Sequence, residues 1–264
     1  MACDWNQVTL GENGPRVTPL GLASGYGVAE HDVERAIERG VNYLYWSTPR
    51  RGGFGRALQR AVARKRESLV TVVQSYTRAG FLMRWSLERA LRQLGTDYTD
   101  ILLLGWWNAL PPPRILDAAI RLKESGKARH LMISCHHRPS FEVMAREPAL
   151  SAFMVRYNAV HAGAEEDVFP RLSSPRPGIV AYTATRWGQL PNPKRTPPGE
   201  PTPRGSDCYR FCLSHPSVDV VLCGPRNAGE LDEAMAALDR GPMSADELAW
   251  MKRVGAHIKG GAAR

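Results

Sequence analysis

The sequence predicts an α/β protein, a (β/α)8 TIM barrel with an N-terminal β-hairpin. Short apolar segments typical of buried strands alternate with segments whose apolar residues recur every three to four positions, as on one face of a helix. Eight such strand–helix units fit into the 264 residues. Repeated βα units favour a parallel sheet, and eight of them over this length favour a closed barrel. We expect residues 1–264 to form a single domain.

The predicted strands are short and follow an opening hairpin. Val8–Leu10 and Arg16–Thr18 flank a turn over Gly11–Gly14, a pattern typical of two antiparallel strands. The barrel strands are then predicted at residues 20–22, 43–45, 69–73, 101–104, 130–133, 153–155, 179–182 and 218–222. A doubly wound sheet is the alternative fold, but it requires a glycine-rich turn after the first strand. Gly25-Tyr26-Gly27 matches that turn poorly.

Glycines end two of the predicted helices. The segment 32–39 stops at Gly40 and the segment 84–94 stops at Gly95, and glycine tolerates the left-handed conformation that terminates a helix. Two more helices are predicted at residues 115–124 and 230–238. The glycine-rich residues 52–55 are predicted as a flexible approach to the second helix, because no Lys-Ser or Lys-Thr pair follows them as in a phosphate-binding loop.

A proline-rich segment interrupts this rhythm after the seventh barrel strand. Residues 191–203 contain six prolines, which predicts a long irregular loop. In a barrel, the loops after the strands lie on the functional face. The segment is therefore expected either to fold over a ligand or to be an ordinary mobile insertion, and the sequence favours neither.

Composition limits the classes of partner. The formal net charge of +9 suits an anionic ligand such as a phosphorylated cofactor. Nucleic acid is the competing partner, but the basic residues are spread along the chain without an aromatic-interleaved basic motif, so we expect no nucleic-acid binding. No apolar run approaches the roughly 20 residues of a membrane span, and residues 1–6 do not resemble a signal peptide. We expect a cytoplasmic protein without membrane contact.

The five cysteines form an odd and scattered set, which fits reduced thiols better than a disulfide framework. Cys208, Cys212 and His215 are spaced four and three residues apart on a predicted helix, so they would share one face. A core stripe explains this spacing, and a structural metal site normally has a fourth ligand. We therefore expect no metal site.

Several motifs, in their order and spacing, carry a resemblance to a known family. They are Ala36–Tyr43, Leu94–Asp100, Lys123–Arg129, Arg156-Tyr157-Asn158, Gly178–Tyr182 and Leu222–Asn227. Together with the opening hairpin they cover nearly the whole chain, which resembles the aldo-keto reductases. The resemblance implies a barrel, a nicotinamide cofactor and the reduction of carbonyl groups of small molecules by hydride transfer. Hydride addition creates an alkoxide, which an acid with a lowered pKa must protonate.

The four catalytic positions that the resemblance implies are all substituted. The family's aspartate follows a Gly-x-Asn-x-x motif and its tyrosine comes five residues later, and these positions hold Tyr45 and Arg50. Its lysine ends the third strand, where Gln74 stands, and its histidine position is Gly105. The resemblance thus implies a hydride-transfer scaffold without its usual proton-handling residues.

The positions that the resemblance assigns to the cofactor match the family better than the catalytic positions do. The resemblance implies that Tyr182 stacks on the nicotinamide ring and that Ser134 binds its carboxamide. The asparagine and glutamine expected to assist are replaced by Cys135 and Met154. Arg226 precedes a predicted helix whose positive end favours a phosphate, and its planar donors suit the 2′-phosphate of NADP. We therefore predict NADP(H) as the cofactor, with further binding residues Ser24, Gly25, Gly224, Asn227 and Glu230.

Tyr45 is the most interesting replacement. A phenol reaches further than a carboxylate, so the Tyr45 hydroxyl is hypothesised to take over from the lost tyrosine as proton donor. In this hypothesis Arg50 lowers the pKa of the phenol and Gln74 assists. His136 or His137 is a second acid–base candidate, although a polar loop pair is the preferred explanation of both.

The substrate pocket is predicted from aromatic residues that follow strand ends. With His136, the predicted lining residues are Trp46, Trp106, Trp107 and Trp187. They would wall a flat aromatic or otherwise apolar cavity, or some of them would plug the space left by the lost side chains.

Two classes of function remain open. The first is an NADP(H)-dependent oxidoreductase with altered acid–base groups, acting on a small substrate that needs little protonation, such as an iminium ion or an activated alkene. The second is a catalytically inactive relative that serves as a sensor, a partner subunit or a host for non-redox chemistry. The sequence identifies neither the substrate nor the oligomeric state.

Overall fold

Eight parallel strands close into a barrel in the structure of the protein, a computed structural model that describes residues 7–47, 52–172 and 174–261. The barrel strands are β3 (Leu20–Ala23), β4 (Tyr43–Trp46), β5 (Val70–Ser75), β6 (Thr99–Leu104), β7 (Ala128–Cys135), β8 (Leu150–Arg156), β9 (Gly178–Tyr182) and β10 (Val220–Cys223). Each strand pairs with the next along the chain, and β10 pairs with β3 to close the ring. The predicted barrel is confirmed.

The predicted amino-terminal hairpin is also confirmed, as β1 (Val8–Thr9) paired with β2 (Arg16–Val17). A buried carboxylate fastens the hairpin to the barrel. Asp219 accepts hydrogen bonds from the amides of Gly11 at 3.1 Å and Ile179 at 2.8 Å, and Arg176 binds both of its oxygens. The hairpin therefore covers the end of the barrel where the strands begin.

Helices follow the barrel strands and cover their outer surface. They are α1 (Glu30–Glu38), α2 (Gly52–Lys65), α3 (Gly80–Leu94), α4 (Pro113–Glu124), α5 (Ser140–Met144), α6 (Ala164–Asp167), α7 (Gly205–Leu213), α8 (Ala228–Arg240) and α9 (Ala245–Gly261). Gly95 ends α3 in the left-handed conformation, as predicted. Residues 52–55, predicted as a flexible approach, form helical turns at the start of α2. Gly53 packs so closely on α1 that a β-carbon there would lie 2.9 Å from the carbonyl carbon of Ala29.

Alternation along each strand separates an inner core from an outer one. On β4, Tyr43 and Tyr45 belong to the cluster inside the barrel, whereas Leu44 and Trp46 belong to the cluster between the barrel and the helices. The same alternation holds on β8, where Ala152 and Met154 face inward. Residues whose side chains this alternation turns towards the inside of the barrel are here said to have inward parity. At the carboxyl ends of the strands they surround one opening, here called the mouth.

The proline-rich segment 191–203 is fastened to the last helix. Glu200 forms an ion pair with Arg253 at 2.7 Å, and the indole of Trp250 donates to the carbonyl of Pro201 at 3.3 Å. The segment therefore packs on α9, a contact that neither sequence-based alternative included. Among the residues described, no helix combines the length and apolar composition needed to cross a bilayer.

Candidate active site

Three of the four positions that the family resemblance assigns to catalysis meet at the mouth. Tyr45 donates a hydrogen bond to the carboxamide oxygen of Gln74, and the side chain of Gln74 lies against Gly105. The three residues come from neighbouring strands β4, β5 and the end of β6, each with inward parity. Arg50, the fourth position, lies outside the residues that the structure describes.

The phenol of Tyr45 keeps its proton. Burial raises its pKa well above the ordinary value, and the neighbouring hydroxyl of Tyr76 raises it further. The described groups around Tyr45 therefore raise its pKa, and the opposite effect hypothesised for Arg50 stays a prediction, because Arg50 lies outside the described residues. Tyr45 instead holds its proton in a hydrogen bond to Gln74.

Tyr76 is a site residue that the sequence analysis did not identify. Its hydroxyl is hydrogen-bonded to Tyr45 and to Gln74, and its side chain is half exposed. Burial raises the pKa of Tyr76, while its two hydrogen bonds act in the opposite direction. The available signal was the two-residue period of β5, which turns Val72, Gln74 and Tyr76 to the same side.

A row of four rings borders the mouth, here called the aromatic arc: Tyr76, Trp106, His136 and Tyr182. Successive ring centroids are 5.4, 6.3 and 6.0 Å apart. The hydroxyl of Tyr182 lies 3.0 Å from Nδ1 of His136, and burial raises the pKa of Tyr182 to about 12. Burial, followed by the charge of Arg156, lowers the pKa of His136. At neutral pH both groups are therefore uncharged.

The backbone at this edge is held in an uncommon conformation. Trp106 has a φ of 55°, and its amide donates to the hydroxyl oxygen of Ser134 at 2.9 Å. Thr183, Arg186 and Trp187, which follow β9, also have positive φ values. Ser134, predicted to bind a carboxamide, thus has its hydroxyl engaged with the chain.

Three predicted site residues face away from the mouth. Trp46 is buried in the outer core, because alternation on β4 directs Tyr45 inward and its neighbour outward. Cys135 packs in the same outer core and donates to the carbonyl of His137. Trp107 packs against that core beneath the guanidinium of Arg78. The pocket role predicted for Trp46 and Trp107, and the cofactor role predicted for the Cys135 side chain, do not agree with these placements.

The remaining predicted residues divide between the wall and the rim. Met154 lies inside the barrel, and Ser24 is buried with its hydroxyl 3.1 Å from that of Ser47. Gly25 has a φ of 98° on an exposed turn, and Trp187 is exposed in the segment after β9.

The start of α8 is the predicted phosphate position. The Asn227 side chain accepts from the amide of Glu230 at 3.0 Å and so caps the helix. Arg226 is exposed, but its side chain and amide both bind the Glu230 carboxylate, at 2.7 and 2.8 Å. The ring of Tyr26 lies on Gly224, with Cγ 2.9 Å from the position that a β-carbon would take. A phosphate at this position would therefore compete with the Glu230 carboxylate for Arg226.

The predicted thiol–imidazole stripe is part of the core. Cys208 and Cys212 are buried, and Cys212 donates to the carbonyl of Tyr157. His215 packs on Phe169, with ring centroids 4.4 Å apart. Within the described part of the chain, no group of three His, Cys, Asp or Glu side chains is arranged to hold a metal ion.

Comparison with known proteins defines the class. The model of the aldo/keto reductase family matches residues 28–206, which is more than half of the chain. The protein therefore belongs to this family. Its oxidoreductase fold, the parallel barrel with an added hairpin, agrees with that membership.

Particular relatives are more distant. The chain is 30% identical over 117 residues to norsolorinic acid reductase B of Aspergillus parasiticus, a match that covers 41% of this chain and 30% of that protein. The match thus spans less than a third of that relative. The fold of this chain is similar to that of aldo-keto reductase AKR11C1 from Bacillus halodurans, with TM-scores of 0.79 for the apo form and 0.80 for the holo form. The identities are 19% and 20%, and 94% of this chain and 95% of those chains are covered.

Proposed function

We propose that this protein binds NADP(H) across the mouth of its barrel and is an oxidoreductase with non-standard acid–base residues. The observation that carries the proposal is the arrangement of two adjacent strands. Tyr182 ends β9, and the loop after β10 leads through Arg226 into α8. The family resemblance assigns these positions to the nicotinamide ring and the 2′-phosphate, and they lie on one side of the mouth.

The residues present fit such a cofactor. The first amides of α8, at Ala228 and Gly229, have no acceptor within the helix, and the helix dipole adds positive charge there. Gly25 has a φ of 98°, which a glycine adopts without strain, whereas the ring of Tyr26 lies on Gly224 and would have to move for the cofactor to approach that backbone. The Glu230 carboxylate opposes a phosphate, and binding would require Arg226 to exchange one anion for another. These points support binding and predict that it is not unusually tight.

When bound, a nicotinamide cofactor supplies or accepts a hydride. In this proposal Tyr182 stacks on the flat ring, and Arg226 with the start of α8 binds the phosphate. Tyr45 and Tyr76 hold two phenolic protons beside Gln74. Because both phenols have raised pKa values, each is a poor donor to a developing alkoxide. This favours small substrates that need little protonation, such as an imine or an enone.

The test separates binding from turnover. Purified protein is titrated with NADPH and with NADH, and the nicotinamide fluorescence is followed. We expect NADPH to bind more tightly, Tyr182→Ala to weaken both cofactors, and Arg226→Gln to remove the preference for NADPH. Arg92→Gln, which removes one exposed charge from α3, is the matched control. An unaltered nicotinamide signal at all concentrations would contradict the proposal.

A second candidate function is a cofactor-binding relative without turnover, acting as a sensor or a partner subunit. It is favoured by the filled space beside Gly105, where Gln74 and Tyr76 lie in place of the family's histidine. Oxidation of bound NADPH across a panel of aldehydes, imines and enones distinguishes the two candidates. Binding without oxidation of any panel member would favour the sensor.

A further inference from the structure

Arg156 is the last residue of β8 and stands in register beside Tyr182 on β9. Alternation along β8 turns Ala152, Met154 and then Arg156 towards the inside of the barrel. The side chain is half-buried, and its charge acts on Tyr182 and His136. A guanidinium group therefore lies at the mouth, next to the aromatic arc.

Within residues 7–47, 52–172 and 174–261, no carboxylate forms an ion pair with Arg156, although most of the arginines described there are paired. The nearby Arg138, for example, binds Asp167 at 2.7 Å. The surroundings add further positive charge. Arg156, Arg186, Lys259 and, despite its ion pair with Asp167, Arg138 all lower the pKa of the neighbouring His161. A half-buried cation in such a field lacks the anion that usually accompanies it.

We propose that Arg156 anchors an oxyanion subsite, in which its planar donors bind the carboxylate, sulfonate or phosphate group of the substrate. The apolar body of the same molecule would lie along the aromatic arc, which begins beside the guanidinium at Tyr182 and His136. A carboxylate matches the two parallel donors of an arginine. The substrate class is thus a small aromatic or otherwise apolar anion. This inference rests on the proposed function only in calling the ligand a substrate.

The experiment compares two ligands of one shape. 2-Naphthoate and 2-naphthamide are titrated calorimetrically into the full chain, with and without NADPH. We expect the charged ligand to bind more tightly to the wild-type protein. Arg156→Gln should weaken 2-naphthoate about 10- to 100-fold, since a hydrogen bond to a charged group is lost, and leave 2-naphthamide unchanged. Arg92→Gln should change the binding of neither ligand. Arg156→Lys keeps the charge but not the two parallel donors, so it should weaken 2-naphthoate binding less than Arg156→Gln does.

Several outcomes would overturn the subsite. One is equal binding of the two ligands to the wild-type protein. Another is an equal effect of Arg156→Gln on both. A third is weakened NADPH binding with unchanged 2-naphthoate binding, which would assign the guanidinium to a phosphate of the cofactor. If NADPH does not bind but 2-naphthoate binding depends on Arg156, the subsite stands and only the cofactor proposal fails. Melting curves of each variant verify that the comparison is made on folded protein.

Discussion

The ring of Tyr76 lies over Gly105, so that a β-carbon on this glycine would be 2.8 Å from Cδ1 of the ring. Real β-carbons do not approach other atoms so closely. The ring of Tyr76, the residue that follows β5, thus fills space that a histidine side chain at position 105 would need.

Gly105→Ala should be destabilising, because the added methyl group must displace Tyr76 or Gln74 from a packed layer. We expect the free energy of unfolding to fall by about 1–3 kcal/mol, measured by urea denaturation. Gly260→Ala is the matched control, since nothing lies within 4 Å of that position in α9 and alanine favours a helix. A Gly105→Ala protein as stable as wild type would contradict the packing described.

Tyr45→Phe should lower turnover less than about 10-fold with any substrate that the panel identifies, because burial raises the pKa of Tyr45 and leaves it a poor proton donor. The affinity for NADPH should be unchanged, since Tyr45 lies inside the barrel on β4, three strands around the ring from Tyr182 on β9. Tyr76→Phe is measured alongside, because the side chain of Tyr76 is the more exposed of the two. A loss of turnover of about 100-fold or more in either variant would contradict this expectation and identify that phenol as the proton donor.

His161 should titrate far below an ordinary histidine. Burial, then the charges of Arg156 and its neighbours, lowers its pKa to about 4. The unfolded chain binds this proton first, so this group's contribution to stability is lost as the pH falls from about 6.5 towards 4. Proton NMR of the imidazole should give the low value directly. Arg156→Gln should raise the pKa of His161 and Arg92→Gln should not. An unchanged pKa of His161 in Arg156→Gln would show that the Arg156 charge does not act on His161.

Glu247 should stabilise the protein in a pH-dependent way. It accepts two hydrogen bonds from the buried Arg210, at 2.6 and 2.8 Å, and these lower its pKa to about 2. Glu247→Gln should reduce the free energy of unfolding at neutral pH by about 2 kcal/mol. The difference in unfolding free energy between wild type and Glu247→Gln should have its full size above pH 4.5. It should shrink as the pH falls towards 2, because the carboxylate is then protonated in both the folded and the unfolded state.

Urea denaturation at several pH values measures this difference. Glu142→Gln is the control, since Glu142 and Arg146 form an exposed pair that contributes little. A constant difference between wild type and Glu247→Gln across the acid range would mean that the carboxylate is not ionised in the folded protein.

The barrel could be predicted from the sequence because its strands are buried on both faces and its helices on one, which leaves two distinct apolar periods. The site was predictable where inward parity and family motif coincide, as at Gln74 and Tyr182. Trp46 was wrongly assigned to the pocket because its place at a strand end was taken as sufficient for a pocket role. The alternation along β4, which turns Trp46 outward, was not considered.

Two further residues were missed for related reasons. Tyr76 was missed because β5 was predicted to end at residue 73, whereas its inward row continues through Gln74 to the loop. Arg156 was treated as part of a motif rather than as a charge. Its lack of an acidic partner among the described residues depends on the folded arrangement of several loops, which no local pattern encodes.

The four described non-glycine residues with positive φ all follow β6 or β9 at the mouth. Each costs of order 1–3 kcal/mol, so the chain concentrates its unfavourable geometry where a ligand would be held. Replacing the exposed Trp187 with glycine is accordingly a route to a more heat-resistant variant, and any activity lost in doing so would measure how much of the rigidity there serves function.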